Sequence, residues 1–113
     1  MVYDTAKLLA NEIKNSVEYR EYAAAKLCAM ENSTTRALID EYGRLQIRAQ
    51  AAAVAGDREN EPLKKLQKIG EVLQFDSDAS AYLMAEYRLK RMLGDVYKIL
   101  AEAADVDLGP LES

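Results

Sequence analysis

From residue 82 onward the chain repeats apolar side chains in alternating steps of three and four. Tyr82, Ala85, Leu89, Met92, Val96, Ile99 and Ala103 form one row. Leu83, Glu86, Lys90, Leu93, Tyr97, Leu100 and Ala104 form a second, one residue on. At ~100° per residue, an α-helix brings each row to one face. Asp76, Ser77 and Asp78 offer caps and negative charge for its start, so the expected helix covers 78–104. About 27 residues at ~1.5 Å each make it ~40 Å long. A compact sphere of this chain length would be only roughly 34 Å across. The helix therefore has to pack along another long helix in an elongated bundle, or extend into a neighbouring subunit.

The two rows together span about 200°, whereas a surface helix of a monomer needs a stripe only somewhat above ~100°. Burial on two sides, against the home bundle and against another chain, accounts for the excess. A central helix inside a monomeric bundle is the competing explanation.

The rest of the sequence reads as four further helices and no strand. The first covers 2–15, with Tyr3, Ala6, Leu9, Ala10 and Ile13 on one face. Ser16 is an N-cap for a second over 17–31, with Tyr19, Ala23, Leu27 and Met30 inward. Asn32, Ser33 and Thr34 break and recap the chain. A third helix, 34–55, carries the stripe Leu38, Ile39, Tyr42, Leu45, Ala49, Ala52 and Ala53. Gly56 suits its left-handed C-terminal position. After a polar turn over 57–61, Pro62 opens a fourth helix that ends near 74. The expected fold is all-α: an elongated, self-associating bundle of about five helices, two of them long. Residues 1–104 form one helical domain, and 105–113 a flexible acidic tail.

Composition removes most chemistry. The chain has no His, so Ser-His-Asp and Cys-His nucleophile systems, His-ligated zinc and Glu-x-x-His di-iron sites are all excluded. Glu18 and Glu21 bring two carboxylates near each other, but Lys14 and Arg20 beside them suit a solvated face. Gly43, Gly70 and Gly94 stand singly within helices and form no phosphate loop; close backbone packing is their expected reason. Cys28 is the only cysteine, so no intrachain disulfide forms. No cofactor or metal is expected. The N-terminus does not read as a signal peptide, and no run approaches the ~20 apolar residues that span a bilayer. A cytoplasmic, soluble protein without membrane contact is the expectation.

The net charge is −4, and the basic residues are dispersed among 19 acids. Lys64, Lys65 and Lys68 form one basic cluster and Arg88, Lys90 and Arg91 another, neither with an aromatic platform beyond Tyr87. Direct nucleic-acid binding through these residues is the alternative reading; solvated helix faces are the simpler one.

Glu86 is the anomaly of the last helix, because it falls inside the apolar face. Buried alone, it would cost several kcal/mol or take up a proton. Lys90 could pair with it one turn on, Arg48 or Gln46 could reach it from the third helix, or it could fix register in a seam between chains. None of these is catalysis, since a lone carboxylate has no acid–base partner. The candidate oligomer or partner interface is Tyr82, Leu83, Glu86, Leu89, Lys90, Leu93, Val96, Tyr97 and Leu100, joined by Met84 and Ile47, which point away from their own stripes.

Two stretches, SVEYREYAAAKLCAMENSTTRALIDEYGRLQ (16–46) and LQFDSDASAYLMAEYRLKRMLGDVYKIL (73–100 in outline), carry a likeness to a known group. The spacing of Ser16, Tyr19, Tyr22, Leu38, Ile39, Tyr42 and Gln46 resembles the YlbF/YmcA family of small bacterial helical proteins, as does that of Tyr82, Leu83, Ala85, Glu86, Leu89 and Leu93. The resemblance covers about residues 3–104. It implies an all-helical, self-associating regulatory protein without enzymatic activity. It also implies homo-oligomers and partners of the YlbF, YmcA and YaaT kind, acting on the endoribonuclease RNase Y, and roles in mRNA maturation, competence, sporulation and biofilm formation. The family's complex has been associated with iron–sulfur clusters. Cys28 alone cannot hold a cluster that takes four thiolates, so that property does not carry over.

Overall fold

The computed structural model describes residues 1–105 and contains five helices: α1 (Val2–Lys14), α2 (Val17–Glu31), α3 (Ser33–Val54), α4 (Glu61–Leu73) and α5 (Ser77–Ala104). No strand occurs among the described residues. The all-α expectation holds, and the two long helices are α3 with 22 residues and α5 with 28. The tail expected over 105–113 lies outside the described residues except for Asp105, which sits in a turn with φ 52°.

Side-chain caps set most of the helix boundaries. Ser16 Oγ accepts from the Tyr19 amide at 3.1 Å and starts α2. Asn32 Oδ1 accepts from the Thr34 and Thr35 amides at 2.9 and 3.2 Å and starts α3. Asp76 Oδ1 accepts from the Asp78 and Ala79 amides, each at 3.1 Å, and starts α5. Each cap satisfies amides that have no partner within the helix. Gly56 takes the expected left-handed conformation, φ 79°, just past α3, and Pro62 lies in the first turn of α4.

The chain forms two compact units. One runs from Ala25 to Tyr82 and contains α3 and α4. Its core gathers Ala29, Ile39, Leu45, Ala49, Leu73, Ala79 and Tyr82. Leu45 and Leu73, each 1% exposed, are the largest side chains fully out of water. α3 and α4 pack against each other, and the turn between them is fastened from inside. Asn60, in the left-handed conformation at φ 41°, accepts from the Leu63 amide at 3.1 Å to cap α4. Its Nδ2 donates back to the Ala49 carbonyl at 3.1 Å. Asn is one of the few residues that adopts this conformation at small cost. This role of Asn60 was not expected from the sequence, which marks 57–61 only as polar.

A second fastening joins the starts of two helices in this unit. Thr35 Oγ1, in the first turn of α3, donates to Asp76 Oδ2 at 2.5 Å. The Thr35 hydroxyl and the helix amides hold the Asp76 carboxyl below the ordinary carboxylate range, against a smaller opposing effect of burial.

The other unit comprises Met1–Ala24 with the chain from Leu83 on. Its buried residues among those described are only Ala85, Leu89 and Ala101, and α1 has none. Tyr19 and Tyr22 stand with ring centroids 6.5 Å apart on α2, and Arg88 of α5 donates to Glu21 Oε2 at 3.2 Å.

Sequence expectations at four residues need correction. Leu27 and Ala53 were placed inward, yet both are exposed, Leu27 by 68%. Ala23 is exposed as well. A periodic pattern marks a face but does not supply the element that covers it. Close packing does not explain Gly43, because a Cβ built there meets nothing within 4 Å. At Gly70 a Cβ would meet the Tyr42 ring at 3.6 Å, ordinary contact.

Three outcomes follow in thermal or urea unfolding. Asn60→Ala loses a cap and forces Ala into the left-handed region, so it lowers stability by about 2–3 kcal/mol. Gly43→Ala has room and gains helix propensity, so it raises stability by up to about 1 kcal/mol; a loss would mean the site is tighter than its geometry. Thr35→Val removes the largest cause of Asp76's lowered pKa. The stabilisation from that shift is complete above the unfolded carboxylate value of about 3.9 and disappears as pH falls through the lower folded value. The stability gap between wild type and Thr35→Val should therefore be widest near neutrality and narrow on acidification below that point. A gap independent of pH would show that the hydrogen bond does not act through Asp76's charge.

Candidate interaction surface

On α5 the structure sorts the candidate interface residues by depth. Tyr82 and Leu89 are 7% and 8% exposed and belong to the chain's own core. Leu83, Glu86, Leu93 and Val96 are half-buried, and Lys90, Met84, Tyr97 and Leu100 are exposed. Tyr82, Leu89, Leu93, Val96 and Leu100 fall on one side of the helix at ~100° per residue. That side is closed at its N-terminal end and opens toward the C-terminus. Ile47 is 72% exposed and lies on α3, in the unit of Ala25–Tyr82, whereas Leu83 and all later α5 residues belong to the other unit.

Glu86 is half-buried, with 24% of its side chain accessible, and Lys90 Nζ donates to its Oε1 at 3.2 Å. The i,i+4 spacing makes this pair from one helix alone. The charge therefore lies at the edge of the apolar side and retains water. Arg48 and Gln46, the other proposed neighbours, are exposed on α3.

Half of the residues in the two basic clusters, Lys64, Arg88 and Lys90, stand beside carboxylates. Besides Lys90, Arg88 pairs with Glu21, Lys64 with Glu61 at 3.4 Å and Arg44 with Glu41 at 2.8 Å. All are substantially exposed, so each adds little stability. They nonetheless place acids beside the cations that phosphate would need.

Several exposed apolar side chains were not singled out from the sequence. Phe75, the only phenylalanine, is 91% exposed between α4 and the Asp76 cap. Val72, Val54 and Leu8 are exposed too, and so is Ile99 of the first α5 row. The one signal for Phe75 was its place before a cap, where a hydrophobic residue can pack on the following helix turn; here it does not. Among the described residues no three of His, Cys, Asp and Glu gather where they could hold a metal, and no helix is long and apolar enough to cross a membrane.

What the described residues present is a helical protein whose distinctive surface is apolar side chain, without a gathered set of reactive groups. Comparison with known proteins gives that class a family. The family model described as control of competence regulator ComK, YlbF/YmcA, matches residues 2–104. The chain belongs to the YlbF/YmcA family. The UPF0342 protein STH1710 of Symbiobacterium thermophilum is 38% identical over 95% of this chain and 96% of its own length. A UPF0342 protein of Halothermothrix orenii is 34% identical over 95% of this chain and 92% of its own. No solved structure matches the chain significantly. The family is a regulatory one, and neither its description nor these relatives' names state an enzymatic activity.

The pairing of Glu86 predicts a small energetic role. Lys90→Ala should cost no more than about 0.5 kcal/mol, the range of an exposed i,i+4 pair. Glu86→Leu should leave the unfolding midpoint unchanged or raised, as apolar replacement of a partly buried charge often does. A loss above about 2 kcal/mol for Glu86→Leu would show that its carboxylate carries a structural bond which water cannot replace.

Proposed function

We propose that the protein is a non-enzymatic regulatory adaptor that acts by docking on other proteins. The observation that carries this reading is the exposure of large apolar side chains at the open end of α5, Tyr97 and Leu100, in a chain with no histidine. Apolar surface of this kind gains free energy when covered, and aromatic residues are favoured anchors in interfaces. Membership of a family described by control of a competence regulator supports a regulatory task. The proposed partners are proteins of the YlbF, YmcA and YaaT type, and through them an endoribonuclease of the RNase Y type. Control of RNA processing, competence or biofilm development would follow from those contacts. The site of action is the cytoplasm.

In this reading RNA is not gripped directly. Non-specific nucleic-acid affinity comes from counterions released at Lys and Arg contacts, and a chain of net charge −4 repels phosphate at long range. Arg88, Lys90 and Lys64 already face carboxylates within the chain.

The test pairs affinity capture from the native cell with fluorescence anisotropy on mixed-sequence RNA at two salt concentrations. The expected outcome is reproducible capture of defined proteins and RNA dissociation constants weaker than roughly 10⁻⁵ M at physiological salt. Submicromolar RNA binding with a steep salt slope, abolished by Arg88→Glu with Arg91→Glu, would replace the adaptor reading with a nucleic-acid-binding one.

A further inference from the structure

Phe75 has no use within its own turn. It stands immediately before Asp76, the cap of α5, where a large apolar residue commonly packs on the fourth residue of the helix that follows. That residue is Ser80, too small and polar to receive it. The turn is nevertheless held firmly. The Phe75 and Asp76 amides donate to the Val72 and Leu73 carbonyls at 3.1 Å each, and the Asp76 carboxylate accepts from Thr35. Phe75 is therefore 91% exposed on a fastened backbone.

Its surroundings follow from the turns of α4. At ~100° per residue, Lys64, Lys65, Lys68, Val72 and Phe75 fall within about 100° of one another. Leu66, Ile69 and Leu73 take the opposite side, and Leu73 belongs to the core. The three lysines are exposed, and Val72 is 54% exposed. The face has an order along its length: cations first, apolar side chains at the end, with ~16 Å from Lys64 to Phe75. Lys64 stands beside Glu61 at 3.4 Å, whereas among the described residues neither Lys65 nor Lys68 is in an ion pair.

We propose that this outer face of α4 docks an acidic peptide segment of another protein, with carboxylates against Lys65 and Lys68 and a large apolar side chain against Phe75 and Val72. This rests on the adaptor reading and gives it a partner chemistry, at a surface other than the end of α5.

Charge selects the occupant. Lys64, Lys65 and Lys68 reverse the sign locally in a chain of net charge −4. Glu61 lies on the same face and Glu71 at its border. A nucleic-acid strand carries a charge at every nucleotide and would meet both glutamates. A lipid surface favours cations on the side of a helix away from its apolar side chains, not cations and apolar side chains in line. A polypeptide can set acids opposite Lys65 and Lys68, uncharged residues opposite the glutamates and one apolar anchor on Phe75. Opposite charge then fixes its direction and the aromatic contact supplies affinity. The face is small, so the contact belongs to the transient class, below ~1,200 Å² in total.

Selection from a displayed library of random short peptides, with the full chain as bait, tests this. The enriched peptides should carry Asp or Glu toward one end and Phe, Trp or Leu toward the other. Fluorescence anisotropy with the most enriched peptide should show binding weakened at least ~10-fold by Phe75→Ser and, separately, by Lys65→Glu with Lys68→Glu. Salt should weaken the wild-type complex and not what remains in the lysine variant. Tyr97→Glu with Leu100→Glu should bind the peptide as wild type does. All these positions are exposed, so helical circular dichroism should persist. Enriched peptides without acids, or binding that survives both α4 variants, overturns the proposal. So does a chain mass that falls in Phe75→Ser, which would give the face to a second copy. Retention on phosphatidylglycerol vesicles or mixed-sequence RNA, lost in both α4 variants, overturns it in favour of lipid or RNA. Peptides that pass these tests while capture from cells yields no defined protein support the α4 face and remove the adaptor reading. Capture that persists in both α4 variants, with no acidic peptide enriched, removes this proposal and leaves the adaptor reading standing.

Discussion

The constraint behind most of this structure is the length of α5. Its 28 residues extend ~42 Å, and none of the other four helices is as long. An apolar side maintained over that distance has to be covered piece by piece. Near the start, Ala79, Tyr82, Ala85 and Leu89 are sealed; toward the end, Tyr97 and Leu100 on the same broad side remain in water. At the open end Asp95, Lys98 and Glu102 lie off the two apolar rows, which keep their spacing and leave apolar surface in water.

Polar chemistry in the Ala25–Tyr82 unit concentrates at helix junctions. Asp76 caps α5 with one carboxylate oxygen and receives Thr35 from α3 with the other. Asn60 caps α4 and reaches the Ala49 carbonyl. In each case one side chain both ends the conformational freedom of a turn and fixes one helix against another. These bonds are directional, whereas burial of Leu45 and Leu73 is not, so the junction residues set how the helices meet while the leucines supply the driving force.

That division explains what could be read from the sequence. Helix positions were legible to within one or two residues because capping is local: Ser16, Asn32, Gly56, Pro62 and Asp76 act within three or four residues of themselves. The second bonds of Asn60 and Asp76 were not legible, since they depend on residues 11 and 41 positions away. Glu86 had several chemically reasonable neighbours, and periodicity alone could not choose among them; Lys90 is the one that needs no second helix. Leu27 and Phe75 show the other limit. Their apolar character suggests a covered place, but cover is a property of the assembled surface, and both stand exposed.

The distribution of charge and apolar surface also bears on how such a protein would regulate. Arg88, Lys90, Lys64 and Arg44 have carboxylates beside them, so at these four positions a phosphate backbone would compete with the chain's own acids. Binding dominated by Tyr97 and Leu100 would respond weakly to salt, because the gain comes from apolar burial and not from exposed charge. The contrast between the buried Leu89 and the exposed Leu100 along one helix marks where that apolar surface begins.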